Sequence, residues 1–113
     1  MTNEELNTAL YKKMFNEQEQ YRKWLLTQPV AEILKYAYEY TIRQDILCSL
    51  EYNDLTDKQA KALLKSPTPL ADVFAKWETW ETSHMGDIWS VVEYRANEII
   101  SRSFTQQRYT ESR

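Results

Sequence analysis

QPVAEILKYAYEYTIRQDILCSLEYND, residues 28 to 54, is the stretch on which the fold turns. Pro29 suits the first turn of a helix, where a missing N–H leaves no bond unmade. Behind it, Val30, Ile33, Leu34, Ala37, Tyr40 and Leu47 make one helical stripe, and Ile42, Ile46 and Leu50 make a second. A helix apolar on two sides is usually sandwiched between neighbours, so this one is expected at the centre of a bundle. Tyr36, Tyr38 and Tyr40 suggest a base-stacking platform, but helical spacing favours core and core-rim packing.

Upstream, Leu6, Leu10, Met14, Tyr21 and Leu25 recur at steps of four and seven. The spacing predicts a helix over 3–27, capped by Asn3, with Glu4 and Glu5 favourably placed in its first turn. It should end before Pro29, because the residue preceding proline avoids helical angles. Downstream, LTDKQAKALLKS (55–66) is a short helix with a Thr56/Gln59 capping box. Its Lys58, Lys61 and Lys65 share a face opposite Ala60, Leu63 and Leu64. That face is either a solvated side or a contact for phosphates. SPTPLADVF (66–74) opens a fourth helix, with Thr68 as cap and Pro69 in first position, running to about Ser103.

The 113 residues include one glycine and three prolines, too few turn formers for a β-rich or doubly wound fold. The expected architecture is all-α: a compact bundle of about four helices with a long C-terminal helix. Residues 1–104 are expected to form one domain, and 105–113 a flexible polar tail.

A net charge of −3 and a pI of about 5.2 argue against a non-specific nucleic-acid coat, which needs a basic surface. The acidic surplus suits a basic partner, and it also suits ordinary solubility. The lone Cys48 fits a reducing cytoplasm. The polar start MTNEELNTAL does not read as a signal peptide, and no apolar run approaches the roughly 20 residues a membrane span needs.

WETWETSHMGDIW (77–89) gathers three tryptophans with the only histidine and the only glycine. A straight fourth helix would be about 52 Å long, against about 35 Å for the diameter of a compact domain of this size. Either Gly86 interrupts it or another molecule covers the overhang. Helical rotation puts Leu70, Val73, Phe74, Trp77, His84, Ile88, Val91, Val92 and Ile99 on one side, with Glu81 and Arg95 inside that stripe. Both charges are equally far from Ile88, so two antiparallel copies crossing there would pair Glu81 with Arg95 and Trp77 with Ile99, as a two-fold interface requires. A homodimer through Trp77, Glu81, His84, Ile88, Arg95 and Ile99 is the resulting expectation; in the alternative, both charges snorkel to water. One histidine and one cysteine on separate helices make a metal site improbable. Ser83 and His84 diverge as helical neighbours, and phosphate-cradling glycines are missing. The expectation is a non-enzyme without cofactor or small-molecule substrate.

Three blocks, YRKWLLTQPVAEILKYAYEYTIRQDIL (21–47), LTDKQAKALLKSPTPLADVF (55–74) and ETSHMGDIWSVVEYRANEII (81–100), together resemble a small-protein family of unknown function carried on mobile elements of Firmicutes. The chain also resembles the anti-CRISPR inhibitors of type II systems. That resemblance implies direct binding to Cas9 or its guide-RNA complex, blocking guide-RNA assembly or DNA cleavage, and it assigns no residue a role. Charge and exposure point to Glu78, Asp87, Trp89, Glu93 and Glu98 as the partner-binding surface, with tryptophan as an anchor. The alternatives are a structural or regulatory module of the mobile element and, through residues 55–74 and Lys58, Lys61 and Lys65, a helix–turn–helix-like DNA binder.

Overall fold

The computed structural model describes residues 1–79 and 88–111, with side chains up to Ser103. The described chain forms five helices: α1 (Asn3–Leu26), α2 (Val30–Tyr52), α3 (Asp57–Leu64), α4 (Pro69–Thr79) and α5 (Ile88–Glu111). The fold is all-α, as the composition requires. None of the described helices is long and apolar enough to cross a membrane.

Helix α1 starts at Asn3 and is capped by Thr2, one residue before the expected cap. Thr2 accepts the Glu5 N–H at 3.1 Å and Glu5 accepts the Thr2 N–H at 3.0 Å, a reciprocal capping box. Asn3 is released from capping and donates to the Leu55 carbonyl at 2.9 Å and to Asp57 Oδ1 at 2.8 Å. Asn7 completes the clamp on that loop: its amide donates to the Leu55 carbonyl and its Oδ1 accepts the Leu55 N–H. The start of α1 is thereby fixed to the loop between α2 and α3.

One turn of α1 also organises the next corner. Lys13 donates to the carbonyls of Leu64 and Ser66, at the C-terminal end of α3. Four residues on, the Glu17 carboxylate accepts the N–H groups of Leu70 and Ala71, both at 2.7 Å, at the start of α4. A cation thus meets the negative end of one helix dipole and an anion the positive end of the next, each contact worth about 0.3–1 kcal/mol when exposed and up to about 2 when partly buried. Thr68 sits at the expected cap position of α4, its carbonyl accepting the Asp72 N–H at 2.9 Å, and a carboxylate from another helix, Glu17, supplies the side-chain acceptor.

The core joins Leu6, Leu10 and Met14 of α1 to Ile42, Ile46, Leu47 and Leu50 of α2, with Leu63, Leu70, Val73, Phe74, Trp77, Val91, Val92 and Ala96 from the later helices. Gln59 is buried here for two reasons: its carbonyl completes the α3 capping box, and its amide donates to Asn97 of α5 at 3.1 Å.

Two expectations are corrected. First, residues 69–103 are not one straight helix. Arg95 Nε donates to Asp72 Oδ1 at 2.8 Å, whereas residues 23 positions apart on a straight helix lie about 35 Å apart. Helix α5 therefore packs back against α4. Beyond Ser103, where the helix was expected to stop, the backbone stays helical to Glu111; FTQQRYTE holds neither glycine nor proline to end it. The longest dimension is 54 Å. Second, α2 is sandwiched only along its C-terminal half. Val30 and Leu34 are 74% and 73% exposed, and the buried residues of α2 begin at Ile42; its earlier contacts, such as Tyr36 with Trp24 and Tyr38 with Trp77, leave those side chains partly exposed.

Candidate protein-interaction surfaces

The residues singled out in the sequence fall into three places. Glu81, His84 and Asp87 lie outside the described residues. Trp77 is buried in the chain's own core, and Ile88, Trp89 and Ile99 pack partly buried against it; Trp89 is not an exposed anchor. Glu78 is exposed and Glu93 half-buried.

Arg95 and Glu98 belong to an ion network that locks α5 onto α4. Arg95 grips Asp72 with Nε and Nη2, and its Nη1 donates to Glu98 at 2.7 Å. Lys76 reaches Glu98 at 3.1 Å and lies 4.8 Å from the centre of the Tyr94 ring. Burial alone would raise the Glu98 pKa, but its bonds to Arg95 and Lys76 outweigh that and hold it below the usual range. Burial likewise works against the Arg95 charge, and the hydrogen bonds it donates to Asp72 and Glu98 overcome it. These charges meet within the chain. The Ile88-centred dimer register calls on Arg95 to meet Glu81 of a second copy; here Arg95 is held by Asp72 and Glu98 of its own chain, and Glu81 lies outside the described residues.

A second ionic cluster, missed in the sequence, sits beneath α2. Arg43 is buried, 2.6 Å from Glu39 and 4.0 Å from Glu17. Its guanidinium lies 4.2 Å from the Tyr21 ring centre and 6.0 Å from that of Phe74, placing the cation between two π faces. Burial pushes the Tyr21 hydroxyl up to about 12. It also raises Glu17, even though two backbone N–H groups, Arg43 and Lys13 favour its charged form. The cluster is enclosed and mutually satisfied, so it serves the fold. The one signal for it was that Glu17 and Arg43 fall on the inner sides of their helices.

Another accessible charged feature is the end of the molecule where α1 begins and α2 finishes. Exposed Glu4, Glu5, Glu51, Asp54 and Asp57 gather there. Glu4, Asn7, Thr8, Tyr11, Leu50, Glu51 and Asp54 line an open hollow of about 370 Å³. The Tyr11 hydroxyl donates to Glu51 at 2.7 Å, and that bond raises its pKa. Among the described residues no group of three or more His, Cys, Asp or Glu side chains is arranged to hold a metal ion. Lys58, Lys61 and Lys65 all point to solvent.

Together these features describe a small helical bundle with two internal ion clusters and an exposed acidic end. The chain belongs to a family described as "Protein of unknown function (DUF3848)", whose model matches residues 6–100. No curated protein and no solved structure matches it.

Proposed function

We propose that this chain is a non-enzymatic, protein-binding inhibitor, and that its partner is Cas9 or the Cas9–guide complex. Cas9 holds guide RNA in a positively charged channel, and a rigid body presenting clustered carboxylates suits such a surface. The observation that carries this reading is the acidic end, where Glu4, Glu51 and Asp54 border an open hollow. It differs from the surface expected from the sequence, since Glu98 is engaged by two cations and Trp89 packs against the core. The choice of Cas9 rests on the sequence resemblance; the acidic end supplies a compatible surface.

The test is to add the purified chain to Cas9 before or after guide RNA, following capture and DNA cleavage. Capture of Cas9 together with lost cleavage in at least one order is expected. Undiminished cleavage in both orders, with no capture, would sink the proposal. A mobility shift on DNA that weakens steeply with salt would favour the exposed α3 lysines and a nucleic-acid role instead.

A further inference from the structure

Among the described residues, helix α2 has a side that the other helices leave largely open, with only the Tyr38 hydroxyl touched by Trp77 of α4. Val30, Leu34, Tyr38, Thr41, Asp45, Cys48 and Tyr52 follow one another at steps of three and four, so they share one face, and all are exposed. Val30, Leu34 and Tyr52 are 74%, 73% and 83% exposed. Asp45 is the only charge on this face, in a chain that is 27% charged. Depletion of charge around large apolar and aromatic side chains marks the centre of a protein interface.

We propose that this face of α2 is the two-fold interface of a homodimer, with two copies of α2 antiparallel and crossing at Thr41. The spacing is self-complementary about that residue. Val30 and Tyr52 lie eleven positions to either side of it, and Leu34 and Cys48 lie seven. In the pair, Val30 of each copy meets Tyr52 of the other, and Leu34 meets Cys48, a large side chain against a small one. The threonines at the centre allow the helices to approach closely. Lys35 comes level with Leu47 of the second copy, within one turn of its Asp45, so the single charge on the face gains a cation twice over by symmetry.

Tyr38 also fits the arrangement. Its hydroxyl accepts the Trp77 Nε1–H at 3.2 Å, which leaves its proton to donate to Asp45 of the second copy. The area is sufficient. Covering Tyr38 and Tyr52 on both copies, at about 150–250 Å² for a fully buried aromatic, together with Val30 and Leu34, brings the contact to the order of 1,000 Å² that a specific interface needs.

The proposal is independent of Cas9 binding and uses a different surface. Light scattering on the purified chain should give twice the 13.6 kDa chain mass. Leu34→Arg should return a single-chain mass with its helical circular dichroism unchanged. Under mild oxidation Leu34→Cys should form a covalent dimer with native Cys48. The unsubstituted chain should not, because its two Cys48 residues would sit about 21 Å apart, beyond disulfide reach. A single-chain mass at near-millimolar concentration overturns the proposal. So does a dimer that survives Leu34→Arg, a Leu34→Cys chain that cross-links no faster than a Lys12→Cys control, or efficient Cys48–Cys48 bridging.

Discussion

Arg43 shows how a charge becomes part of a core. Its guanidinium is enclosed by Tyr21 and Phe74 and neutralised by Glu39, with Glu17 at 4.0 Å. Removing one partner of a buried pair leaves the other uncompensated, at a cost of about 3–5 kcal/mol. Arg43→Ala should therefore lower unfolding free energy by about 3 kcal/mol in urea titrations, whereas a loss below about 0.5 kcal/mol, the level of an ordinary surface change, would show that the cluster is not structural. Glu17 is a different case, because both its oxygens accept helix N–H groups. Glu17→Gln turns one acceptor into a donor facing a donor, and should cost about 1–3 kcal/mol. Its pH behaviour has a definite sign. The folded pKa is raised by burial, so the folded state holds the proton more tightly than the unfolded chain. Glu17 favours folding most below its unfolded pKa of about 4.3, and that contribution is lost as pH rises through the higher folded value. Glu17→Gln should remove this component from a stability–pH profile.

At the scale of elements, the joint between α4 and α5 titrates with the opposite sign. The Glu98 pKa is lowered in the fold because its bonds to Arg95 and Lys76 outweigh burial. Its contribution is complete above the unfolded value and disappears as pH falls through the lower folded one. Acidification through the carboxylate range should loosen α5 before the α1–α2 pair, seen as lower amide-exchange protection, relative to the intrinsic rate at each pH, in residues 88–100. Glu98→Gln should give that lower protection already at neutral pH and remove its acid dependence; identical protection profiles for the two chains would show that the network does not hold the joint. This joint is also where sequence reading reached its limit. The apolar stripe through Leu70, Val73, Phe74, Trp77, Val91 and Val92 was legible, because helical period alone marks which residues turn inward. The packing of α5 back onto α4 was not, since a stripe looks the same along one long helix as along two that pack together. Arg95 seemed to need a second copy because its partner, Asp72, lies on the other helix of that pair. The Thr56 capping box was visible because both residues lie within one turn. Glu17 at the α4 start was hidden by a separation of more than fifty residues. Helices and local caps were thus readable, while contacts that depend on how helices fold against each other were not.

At the scale of the whole molecule, the α1–α2 pair is electrically polarised. Glu4, Glu5, Glu51 and Asp54 are exposed at one end, while Arg22, Lys23 and Lys35 are exposed at the other, beside Trp24 and Leu26. A net charge of −3 conceals this separation. A basic partner should therefore be drawn to one end only, with an association rate that falls as ionic strength rises, because screening acts over about 10 Å at 0.1 M salt. The prediction is that Glu51→Gln with Asp54→Lys abolishes capture of Cas9, whereas Lys23→Glu at the far end leaves it intact. Glutamine at position 51 can still accept the Tyr11 hydroxyl, and Asp54 is an exposed loop residue. The double variant should therefore unfold within about 0.5 kcal/mol of the parent, so lost capture cannot be assigned to lost folding. Equal loss of capture from changes at both ends would mean that net charge, rather than the acidic end, governs binding. Intact capture in the double variant would remove that end from the interface altogether.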